Sequence, residues 1–236
     1  MSTNCTCNHC TQDYCASKVS LFSNLNPTQI QEIIKKIQHI DIKKGEIILS
    51  EGAVSNRLYI INKGSLKVYN YNKEGKEQIF YILSEGDFLG DLNLFKEDVF
   101  EYYAQALEDT YLCTLSRDDF MSILKDNPEI NQKILDYAYE RITSLEHLIQ
   151  TLNSKDVNAR LASLLINISK HFGITTKEGV EISLPLSRED MANYLGLTRE
   201  TVSRHLSHLQ HDNIIQLIGS KKVVIKNFNE LKNLSL

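Results

Sequence analysis

The apolar residues near the start of the chain recur at helical spacing. Four isoleucines between residues 30 and 37 fall on one face of a short helix, expected from about Pro27 to Ile37. Asn26 can accept the hydrogen bond of an N-cap, and Pro27 suits the first helical position. This helix is the first ordered element that the pattern predicts.

From Asp41 to about Leu115 the pattern changes to short runs rich in Ile, Val, Leu, Tyr and Phe. Glycines at positions 45, 52, 64, 75, 86 and 90 separate these runs, at the spacing of turns between short strands. The clearest hairpin turn is the segment 73–76, and a short helix is expected over Asp118 to Lys125. The region is predicted to be an antiparallel β-barrel or jelly roll.

A long helix is predicted from about Pro128 to Leu152, since this stretch holds no Gly and no Pro after its first residue. At about 1.5 Å per residue it would be roughly 37 Å long, enough to join two domains. Its apolar stripe consists of Ile134, Ala138, Ile142, Leu145, Ile149 and Leu152. We expect this stripe to form a parallel homodimer seam, with packing inside its own domain as the alternative.

The C-terminal part has the pattern of a winged helix-turn-helix. After a helix over Asp156 to Phe172, the segment 186–212 predicts two short helices joined by a turn at Gly196. Ser187 can form a capping box for the first of them, and Thr198 can cap the second. The segment 214–227 then predicts two strands with a basic tip.

Side chains suited to DNA recognition lie on the second short helix. Glu200, Ser203 and Arg204 stand at i, i+3 and i+4, so they share one face near the helix N-terminus. Arg204 can bind a guanine edge with two hydrogen bonds, and Glu200 can accept one from cytosine. The other predicted DNA contacts are Arg199, Thr201, Lys221 and Lys222.

The sequence shows no sign of a membrane protein or of an enzyme, and its charge is uneven along the chain. Residues 154–236 carry 11 basic and 8 acidic side chains, whereas the rest of the chain carries 15 and 22, so the C-terminal part is the better partner for phosphates. No apolar run reaches about 18 residues and the N-terminus lacks a signal-peptide pattern, so we expect a cytoplasmic protein. No phosphate loop, zinc-protease motif or nucleophile elbow appears, and no enzymatic activity is expected.

Four of the five cysteines, Cys5, Cys7, Cys10 and Cys15, fall within eleven residues, and Cys113 lies about a hundred residues further on. In a reducing compartment such a group is more typical of a metal site or a redox sensor than of structural disulfides.

The segment LSREDMANYLGLTRETVSRHLSHLQ resembles the DNA reader of the CRP/FNR superfamily of bacterial transcription factors, and GDFLGDLNLF resembles its effector-domain motif. The resemblance implies an α+β fold: an N-terminal antiparallel β-roll of the jelly-roll, cyclic-nucleotide-binding-like kind as sensor, a long dimerisation helix and a C-terminal winged helix-turn-helix. The implied domains are a cysteine-rich tail at 1–18, the β-roll at 19–126, the helix at 127–153 and the reader at 154–236.

Within this family, the cyclic-nucleotide-binding members place an Arg-Ser or Arg-Thr pair on the cyclic phosphate. The matching positions here are Glu101 and Tyr102, and a carboxylate there would repel the phosphate, so no cyclic nucleotide is expected. The oxygen-sensing FNR branch fits better, because a cysteine follows the segment AQALE. By that resemblance a 4Fe-4S cluster is held by Cys7, Cys10, Cys15 and Cys113.

Several alternatives stay open at this point. Cys5 could replace Cys7, and His9 could join three cysteines in a zinc site. A thiol-disulfide switch without iron, or a haem sensor, are the other candidates. The resemblance also implies a homodimer that binds palindromic double-stranded DNA with TTGAT-like half-sites, touches RNA polymerase through β-roll loops, and responds to oxygen through dimerisation or through reader orientation.

Overall fold

The computed structural model describes residues 19–54, 56–90, 94–95 and 99–235. Within them the chain divides into two compact units. The first comprises the described residues up to 70 together with 81–142, and the second comprises 71–80 together with the residues from 143 onwards. The long helix and one hairpin are therefore each shared between the units.

The predicted β-roll is confirmed as two four-stranded antiparallel sheets, ordered β1-β8-β3-β6 and β2-β7-β4-β5. The strands are β1 (Gln38–Ile42), β2 (Ile47–Leu49), β3 (Arg57–Lys63), β4 (Leu66–Tyr71), β5 (Glu77–Leu83), β6 (Phe88–Leu89), β7 (Tyr103–Ala106) and β8 (Thr110–Ser116). The predicted hairpin turn joins β4 to β5, and Gly75 there has a φ of 75°, which favours glycine.

The α-helices that accompany the β-roll in the described part of the chain include α1 (Pro27–Lys36), α2 (Arg117–Asp126) and α3 (Glu129–Asn153). Asn26 caps α1 as predicted, and it forms a reciprocal capping box with Gln29 that the sequence analysis did not foresee. Ser116 caps α2 by accepting a hydrogen bond from the Asp119 backbone. No helix among these described residues is long and apolar enough to cross a membrane.

The predicted stripe on α3 needs a correction at its first position. Ile134 is only 3% exposed and packs in the core of the N-terminal unit, whereas its neighbour Leu135 is 63% exposed. With Leu135 in place of Ile134, the stripe runs 135, 138, 142, 145, 149 and 152, in strict alternation of three and four residues. That alternation is the spacing of a coiled-coil seam.

The second unit holds four further helices and a sheet of order β11-β12-β10-β9. Its elements are α4 (Val157–Phe172), β9 (Gly173–Thr176), β10 (Gly179–Ser183), α5 (Arg188–Leu195), α6 (Arg199–His211), β11 (Ile215–Ile218), β12 (Lys222–Ile225) and α7 (Phe228–Leu234). The winged helix-turn-helix is thus confirmed. The β9–β10 hairpin and α7 were not predicted.

Candidate nucleic-acid interface and sensor site

Local hydrogen bonds fix the start of both helices of the helix-turn-helix. Ser187 and Asp190 form the predicted capping box of α5. Gly196 ends α5 with a φ of 63°, a left-handed conformation that glycine adopts without strain. The Thr201 backbone N–H donates to Thr198 Oγ1 at 3.2 Å, which caps α6. The angle at which α6 leaves the turn is therefore set by residues next to it in sequence.

Three buried residues, Val202, Leu206 and Leu209, anchor one face of α6, and this leaves the opposite face in solvent. Glu200, Ser203 and Arg204 lie together on the exposed face, as predicted. The same face continues through Ser207, His208 and His211, which the sequence analysis did not single out. Continuing the steps of three and four residues beyond Arg204 would have found them.

The remaining predicted DNA contacts differ in how free they are. Arg199 is exposed, but Thr201 is half-buried and its hydroxyl lies 3.0 Å from that of Thr198, within the helix cap. In the wing, Lys221 is exposed, whereas Lys222 forms a 2.7 Å ion pair with Glu181. Arg199 and Lys221 are thus better placed than Thr201 and Lys222 to contact phosphate.

His205 links α6 to α4 through a side-chain hydrogen bond. Its Nδ1 lies 2.8 Å from Asn158 Oδ1 at the start of α4. Burial lowers the pKa of His205, and the neighbouring Arg204 and His208 lower it further. The lowered pKa favours the neutral imidazole, which adds no positive charge beside Arg204.

Cys113 lies in the middle of β8, paired in register with His39 of β1. Its Sγ is 3.5 Å from His39 Nδ1, and the residue is only 1% exposed. Burial lowers the pKa of His39, and the nearby Asp41 carboxylate opposes that shift. The thiol therefore has a polar neighbour on one side and an apolar core on the other.

The apolar core around Cys113 links three parts of the N-terminal unit. One packed cluster contains Cys113, Val19 at the start of the described chain, Phe88 of β6, and Ile130 and Ile134 of α3. The other predicted cluster ligands, Cys7, Cys10 and Cys15, lie outside the described residues. Within the described part of the chain, no group of three or more His, Cys, Asp or Glu side chains could hold a metal ion.

The first half of α3 is fastened to the β-roll through Phe88. The Tyr137 ring stacks on that of Phe88 with centroids 4.0 Å apart, and its hydroxyl donates to the Phe88 carbonyl at 3.3 Å. Arg141 donates to the same carbonyl, and its guanidinium lies 4.6 Å from the centre of the Tyr137 ring. Phe88 therefore contacts α3 at two positions about one helical turn apart, and a displacement of Phe88 would affect both contacts.

The two positions used against cyclic-nucleotide binding lie just before β7. Glu101 is exposed, and its backbone carbonyl accepts a hydrogen bond from the Asn70 side chain at 2.8 Å. The ring of Tyr102 lies 5.5 Å from that of Phe100. Asp91 and Leu92, part of the effector-domain motif, are outside the described residues.

Comparisons with known proteins match both units. Residues 39–127 match the model of the cyclic nucleotide-binding domain, and residues 159–234 match that of the Crp-like helix-turn-helix domain. The chain is 31% identical to the fumarate and nitrate reduction regulatory protein of Vibrio cholerae, over 96% of this chain and 90% of the relative. It is 27% identical to a CRP-like cAMP-activated global transcriptional regulator of Mycobacterium tuberculosis, over 93% of this chain and 97% of that protein.

The solved structures agree with these matches. The structure of FixK2 from Bradyrhizobium japonicum superposes with a TM-score of 0.77 at 26% identity, over 85% of this chain and 98% of that one.

Proposed function

Because the chain belongs to the CRP/FNR superfamily of transcription factors, we propose that it is an oxygen-responsive regulator that holds a 4Fe-4S cluster. The same family includes a relative described as cAMP-activated and one described as a fumarate and nitrate reduction regulator. The choice between such inputs depends on residues of this chain. The four cysteines and Glu101 are the residues on which the choice of an oxygen input depends.

The observation that carries the proposal is the position of Cys113. Its thiol lies in one packed cluster with Val19, and Cys15 precedes Val19 by only four residues. Four residues span at most about 14 Å when fully extended, so the length of the chain allows Cys15 to reach Cys113. The Cys113 thiol and the N-terminal cysteines could thus bind one metal cluster.

The donor set fits an iron-sulfur cluster. Cys7, Cys10, Cys15 and Cys113 offer four thiolates, and a 4Fe-4S cluster takes one from each cysteine. When bound, the cluster supplies an oxygen-sensitive link between these cysteines. His39 can direct an N–H towards the Cys113 sulfur, as hydrogen-bond donors beside metal ligands commonly do.

The residues packed around Cys113 connect it to α3, the helix expected to form the dimer. Cys113 shares its cluster with Phe88, and Phe88 holds Tyr137 and Arg141 of α3 by stacking and hydrogen bonds. Ile134, in the same cluster, is adjacent to the exposed Leu135. A cluster bound at Cys113 would therefore favour one position of the apolar stripe that begins at Leu135.

Two copies paired along that stripe would form a homodimer, which presents two α6 helices to a palindromic operator about one DNA turn apart. We propose that Arg204, Glu200 and Ser203 read base edges of TTGAT-like half-sites, while Arg199 and Lys221 contact phosphates. Glu101, where a cyclic phosphate would lie, argues against a cyclic nucleotide as effector. RNA polymerase contact through β-roll loops remains a prediction from the family resemblance.

The test is anaerobic purification of four proteins: the wild type and the variants Cys113→Ala, Cys113→Ser and Cys5→Ser. The wild type should be brown and hold about four irons and four sulfides per chain. Both Cys113 variants should lose iron and operator binding, whereas Cys5→Ser should keep both. Circular dichroism and a urea midpoint check that each variant is folded.

Retention of iron by a folded Cys113→Ala protein would remove Cys113 from the ligand set. A colourless wild type whose gel mobility shifts with oxidation would instead support the thiol-disulfide switch. Operator binding in air by iron-free wild type would overturn the oxygen response, although membership of the family would stand.

A further inference from the structure

A polar cavity lies within the second unit, where the last turns of α3 face α4 and α5. Its volume is about 120 Å³. A single water needs only about 10–15 Å³ of such space, so the cavity holds several waters or a small molecule. The residues that line it include Ser144, His147, Thr151, Ser163, Lys170 and Tyr194.

Two of the lining hydroxyls belong to largely buried residues. Thr151 on α3 and Ser163 on α4 are 9% and 8% exposed. Both hydroxyls line the cavity, where each can donate a hydrogen bond to a ligand. A ligand able to accept a hydrogen bond from both hydroxyls would be stabilised in the cavity.

The charges around the cavity favour a negative ligand. Lys170 and the imidazole of His147 are exposed at its rim, and no Asp or Glu lines it. Tyr194 adds a further donor: burial raises the pKa of its hydroxyl, partly offset by a hydrogen bond with Asn167, so the group keeps its proton. The lining thus offers donors and one permanent cation, which is the chemistry of an oxyanion site.

The cavity stays accessible when α3 pairs with a second copy. Ser144, His147 and Thr151 fall between the positions of the stripe that starts at Leu135. They therefore lie on a different face of α3 from the expected seam.

We propose that this cavity binds a small oxyanion, a phosphate or a carboxylate, through the Thr151 and Ser163 hydroxyls and the Lys170 ammonium. The bound anion would join α3 to α4 and α5, the two helices that pack against α6. The cavity would be a second ligand-binding site of the protein, separate from the cysteines. None of the proposed cluster ligands lines it.

The experiment is isothermal titration calorimetry on the full-length protein purified in air, at constant ionic strength. Inorganic phosphate is the probe in one arm and malonate in the other, so the two chemical sources of an oxyanion are distinguished. Saturable binding of one of them is expected. Lys170→Gln and Ser163→Ala should each weaken it by about tenfold, as the loss of a hydrogen bond to a charged group does.

The matched control is Lys177→Gln, which removes an exposed lysine from the β9–β10 turn and should leave binding unchanged. A thermal unfolding curve for each variant shows that it is folded. The proposal is overturned if neither anion gives a saturable heat, or if Lys177→Gln weakens binding as much as Lys170→Gln does.

Discussion

Ile134 and Leu135 are neighbours on α3 that should respond in opposite ways to truncation. Leu135 is 63% exposed in the single chain, so pairing with a second copy can bury most of its side chain. Ile134 is 3% exposed and already packed in the core around Cys113. Alanine at position 135 should therefore weaken the dimer, and alanine at position 134 should weaken the fold.

The size of the Leu135 effect follows from its free area. Full burial of a leucine side chain stabilises by about 1.5–3 kcal/mol, and the exposed fraction leaves roughly 1–2 kcal/mol of that for the interface. Each dimer contains two copies, so Leu135→Ala should cost about 2–4 kcal/mol, or roughly 30- to 1,000-fold in the dimer dissociation constant. Ile134→Ala should instead cost about 2–5 kcal/mol of folding stability.

Sedimentation equilibrium over a wide concentration range measures the first effect, and urea unfolding measures the second. Unfolding should be followed at two protein concentrations, because dimerisation itself adds stability. Glu140→Ala is the control, since Glu140 is exposed on the same helix but lies off the stripe. A Leu135→Ala protein that dimerises like the wild type would show that the stripe is not the seam.

Three further results are expected. Arg204→Ala should cost about 1–3 kcal/mol on a specific operator and little on random DNA in fluorescence anisotropy, and equal losses would remove Arg204 from base readout. Lys221→Ala should lower the salt dependence of DNA binding by about one unit of log–log slope, and Lys222→Ala by less, since Glu181 already pairs with Lys222; equal changes would contradict this ranking. Burial raises the pKa of Tyr194, so above about pH 10 the unfolded chain releases a proton that the folded one keeps, and stability falls. Tyr194→Phe should reduce the fall in urea midpoint between pH 8.5 and 10.5, and an unchanged slope would refute the assignment.

The helix starts could be predicted from the sequence because a cap depends on residues three positions apart. Asn26, Ser187 and Thr198 each accept the expected backbone hydrogen bond. The exposed face of α6 followed for the same reason, since helical periodicity alone places Glu200 beside Arg204. These features need no knowledge of distant contacts.

The missed elements depend on pairing across the fold. β10 pairs with β12, which lies about forty residues further along the chain, and β9 pairs only with β10. The strands have four and five residues, and Ile174 in β9 is exposed. The sequence therefore lacks the alternation of apolar and polar residues that would predict them. Helix α7 has seven residues and buries only Leu231 within it, too short a pattern for a period to show.

The register of α3 shows a different limit. Ile134 and Leu135 are adjacent apolar residues, and either can begin a stripe that continues through Ala138 and Ile142. Which of them faces inwards is decided by the shape of the β-roll core, where Ile134 fills space beside Ile130 and Cys113. Local spacing cannot supply that information.

Cys113 raises the same problem for chemistry rather than for packing. A thiol is both a small apolar group and a soft metal ligand, so a cysteine in a strand suits a core and a cluster equally well. Its burial at 1% exposure agrees with both roles. Two features of its surroundings support the proposed ligand role: His39 Nδ1 lies 3.5 Å from its sulfur, and Val19, the first described residue, packs in the same cluster. Comparing Cys113→Ser with Cys113→Ala separates the roles, because both remove the sulfur but only serine places a polar hydroxyl in this apolar core. Equal loss of iron with unequal urea midpoints is the result that a ligand in a packed core requires.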